Sequence, residues 1–202
     1  MQPPLFKVVK RLRWRKLSEV LKRNNHSCKE RDETGLSLLG VSLGYHAPLD
    51  IIKQILSIDP SQLNSMDMFG ANALHIACLN GNPHEVITFL LERDPSLASS
   101  RDRDNRTPLH QITECICQDE IHLSMGIEVI KVLYKYNCTM IHASDNNNNC
   151  PLDIVHVARC AKNASDAQLK RLDKATRFLR KLSSRFYRLK KKSLGKQNHI
   201  RS

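Results

Sequence analysis

Four times along this chain an aspartate opens a stretch whose spacing then stays fixed. The aspartates are Asp32, Asp67, Asp102 and Asp145. Three residues later stands Gly35, Gly70, Asn105 or Asn148, and four residues further on Leu39, Leu74, Leu109 or Leu152. Gly and Asn are the residues that most readily take a positive φ, so the same left-handed turn position is marked in each copy. A period of about 35 residues with fixed turn chemistry specifies a stacked repeat array.

Within each copy, the Asp and the Gly/Asn position form a tight turn at the tip of a hairpin-like finger, and a short helix follows. In the third copy its start reads Thr107-Pro108-Leu109-His110. Thr accepts a hydrogen bond as N-cap, and Pro at the first helical position presets φ while lacking only an N–H that had no partner. The equivalent stretches are Ser37-Leu38-Leu39-Gly40, Asn72-Ala73-Leu74-His75 and Cys150-Pro151-Leu152-Asp153. A second helix can be read backwards from each Asp. Fifteen residues before it lie Leu17, Ile52, Ile87 and Ile130, and eleven before it Leu21, Leu56, Leu91 and Tyr134. Val20, Ile55, Leu90 and Leu133 complete an i, i+3, i+4 stripe of the kind an amphipathic helix buries. Eight residues before each Asp come Asn24, Asp59, Asp94 and Asn137, and Pro60 and Pro95 then stop the helix. Leu17 to Asn24 is thus one extra helix ahead of the first full unit, an N-terminal cap with Trp14 covering its end.

The third copy is longer than the others. From first-helix Leu to second-helix Ile is thirteen residues in copies one and two but twenty-one in copy three, with the eight extra residues between Cys115 and Gly126. Two readings stay open: a binding excursion, or a longer first helix with a wider turn.

The motif Asp-x-x-Gly-x-Thr-Pro-Leu-His, the turn Asn80-Gly81-Asn82 and the Val-Ile-x-x-Leu-Leu run that follows resemble the ankyrin repeat. The resemblance covers Trp14 to Ala161 and is closest in copies two and three. It implies an all-α, ankyrin-like solenoid of stacked antiparallel helix pairs, with short β-hairpin fingers at right angles to them. It also implies structural hydrogen-bonding roles for His75 and His110. Gly40 and Asp153 replace that His in the outer copies, as end repeats lacking a neighbour allow. The expected organisation is a basic segment with a capping helix over 1–31, an array over 32–164 (units 32–66, 67–101, 102–144 and 145–164), and a basic capping helix and tail over 165–202.

The net charge of +12 is unevenly spread. Residues 1–31 carry ten Lys/Arg against two Glu, residues 32–144 seven against fourteen acidic residues, and residues 166–202 thirteen against two. Near the C-terminus, Ser165-x-x-Gln168 reads as a capping box opening a long helix. Its stripe of Leu169, Leu172, Ala175, Leu179, Leu182, Phe186 and Leu189 outruns one repeat beyond Leu182, so residues 183–202 are expected to be dispensable for folding. Arg185, Arg188, Lys190, Lys191 and Lys192 crowd its other face and are the candidate polyanion-binding residues. Such a helix reads as a nucleic-acid arm, a calmodulin-like target, an anionic-membrane helix, an import signal or a solvated charged helix.

Seven cysteines with no Cys-x-x-Cys pair point to reduced thiols and an intracellular setting, cytoplasmic or nuclear. Cys115-x-Cys117 near His110 and His122 is the one cluster weighed as a metal site and set aside, and no cofactor is expected. No run of eighteen apolar residues exists, so no transmembrane segment is expected. The basic N-terminus, its apolar stretches broken by Lys and Arg, does not read as a secretory signal. There is no nucleophile beside a base, no phosphate-cradling Gly loop and no paired carboxylates in recognisable context. The leading expectation is therefore a monomeric, non-enzymatic scaffold for a partner protein. Tyr45, Met68, Phe69, Leu79, Asn80, Arg103, Asp104, Arg106, Glu114, Asn146 and Asn147 are the candidate contacts on finger tips and first helices. The alternative is binding of nucleic acid or an anionic surface through the basic ends.

Overall fold

The computed structural model of the protein describes residues 4–23, 30–161 and 164–199. Among them all regular structure is helical, save one isolated antiparallel bridge between Arg31 and Ser37. The first helices are α1 (Pro4–Lys10), α3 (Leu38–Gly44), α5 (Ala73–Leu79), α7 (Pro108–Cys117) and α9 (Pro151–Arg159). Each is followed by its partner: α2 (Trp14–Arg23), α4 (Leu49–Ile58), α6 (His84–Arg93), α8 (Leu123–Tyr136) and α10 (Asp166–His199). First helices stack in order, α1 on α3 on α5 on α7 on α9, while α2 lies against α4, α6 against α8 and α8 against α10. The core runs continuously along this stack through Leu39, Leu74 and Leu109 of the first helices and Ile52, Ile87 and Ile130 of the second. Apolar side chains on one face of each helix are buried only by the neighbouring pair, which is why the fold propagates as an array.

Local chemistry sets the boundaries. Ser37, Asn72, Thr107 and Cys150 are the N-caps of α3, α5, α7 and α9. The first two accept conventional hydrogen bonds, Ser37 Oγ from the Gly40 N–H at 3.1 Å and Asn72 Oδ1 from the Leu74 N–H at 3.1 Å. At the fourth cap, Asp153 stands where the middle copies have His, and its carboxylate accepts the Cys150 N–H at 2.9 Å. Second helices stop at Asp59, Asp94 and Asn137, whose Oδ1 atoms accept the N–H of Ser61 (3.1 Å), Ser96 (2.9 Å) and Thr139 (3.1 Å). These bonds open 3-10 turns over Pro60–Asn64, Pro95–Ser99 and Cys138–His142. Asn24, the expected end of the preceding second helix, and Cys28 lie outside the described residues.

Helices α1, α3, α5 and α7 end alike, in a left-handed residue after which the next N–H turns back to the helix, a Schellman-type closure, while α9 ends at Cys160 without one. That residue is Leu12 (φ 52°), His46 (φ 54°), Gly81 (φ 61°) and Asp119 (φ 62°). The next N–H reaches back to Val8 O (3.2 Å), Ser42 O (2.9 Å), Ala77 O (2.9 Å) and Cys115 O (3.1 Å) respectively. Where the sequence offered one helix ahead of the first full unit, the structure has two. Helix α1 buries Leu5, Phe6 and Val9 and ends in the same closure, so α1–α2 is a further helix pair of the same kind. Trp14 is the first residue of α2 and packs half-buried against the core.

The eight extra residues of the third copy are spread through it. Helix α7 has 10 residues where α5 has 7, and α8 has 14 where α6 has 10. The turn between α7 and α8 is longer by the one remaining residue. It folds back onto the array: Ile121 is buried, and a Cβ placed on Gly81 would meet its Cγ2 at 2.1 Å. The first helix and the turn are both longer, as one reading had it, but half of the extra residues go to the second helix.

Helix α10 begins as the capping box requires, with Ser165 Oγ accepting the Gln168 N–H at 3.2 Å. The reciprocal half is replaced, because Gln168 Nε2 donates to Cys117 O at 3.3 Å. Arg171 completes the stitch to the α7–α8 turn, its Nε donating to Ile116 O at 2.8 Å and its guanidinium also meeting Ile121 O and the Asp119 carboxylate. Leu172, Ala175, Leu179 and Leu182 are buried, and Tyr134 Oη donates to Leu182 O at 3.1 Å. Contact does not stop there, although the stripe was expected to outrun the repeat beyond Leu182. His142 lies 5.0 Å, centroid to centroid, from both Phe186 and Tyr187, and 3.3 Å from Ser183 Oγ. Phe186 packs half-buried on the core, whereas Leu189 is 50% exposed.

Candidate protein-interaction face

Each finger is built by its aspartate. Asp67 Oδ1 accepts the N–H groups of Phe69 and Ala71, both at 2.9 Å. Asp32 does the same for Thr34 and Leu36, Asp102 for Asp104 and Arg106, and Asp145 for Asn147 and Asn149. Such an Asx turn closes the loop without a second strand. The turn then needs a left-handed residue, and Gly35, Gly70, Asn105 and Asn148 have φ of 80°, 77°, 61° and 61°. The fingers are thus hydrogen-bonded turns, and the expected β-hairpin strands are not formed among the described residues.

Neighbouring fingers are tied by one backbone bond each: Met68 N–H to Thr34 O (3.2 Å), Arg103 N–H to Phe69 O (2.9 Å) and Asn146 N–H to Asp104 O (3.0 Å). The two histidines anchor the fingers to the helices. His75 Nε2 lies 3.0 Å from Arg106 O, and His110 Nε2 lies 3.1 Å from Asn149 O. A carbonyl only accepts, so each Nε2 carries the hydrogen and donates to the next finger. Burial is the main cause pulling both imidazoles below the usual histidine value, with these backbone bonds opposing it. Neutral, buried and fully engaged, they are scaffold.

On this frame the candidate contacts fall into distinct groups. Met68, Phe69, Leu79 and Tyr45 expose large apolar side chains, Phe69 most of all at 63%. The backbone of Met68 and Phe69 is meanwhile held on both sides. Arg103 is exposed and Asn80 half-buried, its Nδ2 donating to Ile76 O at 2.8 Å to close α5. Arg106 and Glu114 form an ion pair with each other. Asn146 is exposed and bonds across to Arg103 O at 3.1 Å.

Asp104, Arg106, Glu114 and Asn147 line one groove of ≈ 400 Å³ together with Asp145, Asn149, Ile154 and Val157. The last two were missed in the sequence, although Val157 is 66% exposed. Val157 follows Leu152 by the five residues that separate Leu79 from Leu74 and Glu114 from Leu109. That offset was the signal that could have found it.

Arg185, Arg188, Lys190, Lys191 and Lys192 are all exposed on α10, away from the fingers' residues in sequence and in contacts. Of the cluster weighed for metal binding, Cys115 and Cys117 are buried thiols pushed up to about 12, first by burial. Cys115 Sγ donates to Leu79 O at 2.9 Å. Among the described residues no three His, Cys, Asp or Glu side chains are grouped to hold a metal, and no helix is long and apolar enough to cross a membrane.

Residues 40–122 match the family model for ankyrin repeats (3 copies). That stretch runs from inside α3 to the turn after α7, and so holds the second and third fingers and both anchoring histidines. Repeats of this family generally mediate protein–protein interaction and are typically non-enzymatic. With the repeating turns, caps and helix pairs already described, residues 40–122 of this chain are ankyrin repeats.

Proposed function

We propose that this chain is a non-enzymatic scaffold that binds a partner protein through its finger tips and the first-helix face beside them. The observation carrying the reading is the second finger. Met68 and Phe69 are fixed by backbone bonds to the fingers before and after, yet their side chains are 51% and 63% exposed. A large apolar surface held in place in advance loses little entropy on binding, and an aromatic anchor of this kind is what dominates interface energy. The adjoining groove between the third and fourth fingers supplies carboxylate and amide groups beside exposed Val157, a polar rim to an apolar contact.

The test is affinity capture from cell extract with the full chain and with the Met68→Ala/Phe69→Ala variant. A hot spot contributes about 2 kcal/mol or more, so capture should weaken roughly thirty-fold. The melting temperature should stay unchanged, because both side chains are exposed. Undiminished capture by a folded variant would remove the finger tips from the interface.

A further inference from the structure

The distal part of α10 takes no part in that reading and has its own construction. Two adjoining hollows flank it and share Arg185 and Leu189. One, of ≈ 380 Å³, lies between α8 and α10 with Tyr134, Cys138, Leu182 and Leu189 as its apolar lining and Lys131 and Lys135 at its edge. The other, of ≈ 530 Å³, is lined by Arg185, Arg188, Leu189, Lys191 and Lys192. The apolar stripe that fastens α10 to the array thus emerges from it at Leu189, and cations surround the place where it does. Among the described residues the only carboxylate paired with any of these cations is Glu128, with Lys131. No Asp or Glu follows Asp173 in the sequence.

We propose that this face of α10, with the adjoining end of α8, docks on an anionic lipid bilayer, Leu189 entering the headgroup boundary and the surrounding Arg and Lys meeting lipid phosphates and carboxylates. Charge complementarity selects an anionic surface, and the exposed Leu189 at its centre selects a bilayer over nucleic acid. An apolar side chain at the centre of a cationic ring gains nothing from a phosphodiester backbone. Base stacking would need aromatic platforms, and Tyr187 is the only exposed aromatic on this described stretch of helix. An interfacial helix needs both parts at once, apolar insertion and cationic attraction.

The experiment is co-sedimentation of the full chain with phosphatidylcholine vesicles, with and without phosphatidylserine, alongside a duplex DNA binding assay. The chain should sediment only with the phosphatidylserine vesicles, less so as salt rises. Lys191→Ala/Lys192→Ala should weaken vesicle binding by about five-fold per cation removed. Leu189→Ser should weaken vesicle binding while leaving DNA binding unchanged. Its exposure makes misfolding unexpected, and the two exposed lysines give a second variant independent of the apolar contact. Equal sedimentation with both vesicle types would overturn the proposal, as would vesicle binding indifferent to Leu189→Ser. Tighter binding to DNA than to anionic vesicles, with Leu189 irrelevant to both, would replace the bilayer by nucleic acid. None of these outcomes bears on the Met68/Phe69 interface, which is read out separately.

Discussion

Residue by residue, the array depends on a few positions whose backbone allows little choice. Gly70 combines φ of 77° with a close approach, since a Cβ there would sit 3.1 Å from the Arg103 nitrogen. Gly70→Val should cost about 1–3 kcal/mol, because a β-branched residue resists positive φ and would also push on the next finger. Asn105 occupies the same turn position with φ of 61°, but its Nδ2 donates to Ser144 O at 3.2 Å. Asn105→Gly therefore exchanges an exposed hydrogen bond for an easier backbone and should fall close to neutral. Denaturant unfolding of the two variants checks both, and a Gly70→Val protein as stable as the parent would undo the turn assignment. The anchoring histidines give a pH dependence of definite sign. Burial lowers His75 and His110 in the folded state, and His142 likewise, helped by Lys190. Below about pH 6.5 the unfolded chain takes up protons that the folded chain refuses. Stability should therefore be fully present above that pH and fall as pH drops from it towards the lowered folded values. Urea midpoints measured between neutral pH and pH 5 should decline across that window, and a flat profile would mean that the imidazoles are not buried neutral.

Among the elements, the turn between α7 and α8 shows how one repeat accommodates extra chain without breaking the stack. Ile121 fills the space that Gly81 leaves open, and a side chain at Gly81 would also have to keep φ of 61°. Gly81→Ala should destabilise by about 1–3 kcal/mol through strain and displacement of Ile121. In an Ile121→Ala background the overpacking is relieved, so the double variant should lose less than the sum of the two singles. Additive losses would show that Gly81 and Ile121 do not share that space. Much of this scale was legible in sequence, for definite reasons. Asp32, Asp67, Asp102 and Asp145 each make the same pair of side-chain bonds to backbone, so selection of the residue type and selection of the geometry coincide. The Schellman closures were not legible, because Leu12, His46 and Asp119 adopt there a conformation that only Gly81 advertises. Helix α1 was missed for the same reason: its closing residue is a leucine. Gln168 read correctly as a helix-start residue, but its side chain serves the neighbouring turn instead, a tertiary contact that no local pattern encodes. The lining of the groove was legible as a register of offsets where the offset was followed, as at Glu114, and missed at Val157 where it was not.

At the scale of the whole molecule, α10 is both the end of the array and the start of something that leaves it, and truncation separates the two roles. Ending the chain after Leu189 keeps Phe186 and Tyr187 against His142 and should leave melting unchanged. Ending it after Leu182 removes a half-buried aromatic and the Ser183 contact, a loss of about 1–2 kcal/mol. For a chain of 202 residues that corresponds to a melting temperature lower by roughly 2–8 °C. Both truncations should still capture a protein partner at the parent level, because the fingers from Asp32 to Asn149 and their helices remain. The 1–182 chain should lose anionic-vesicle binding, having lost Arg185, Arg188, Leu189, Lys191 and Lys192 together. Thermal melts, partner capture and vesicle sedimentation on the same three chains then distinguish the outcomes. Capture lost at 1–182 with the fold intact would make α10 the partner-binding element and remove the fingers from that role. Melting unchanged at 1–182 would mean that Phe186 and Tyr187 lie on the array without stabilising it.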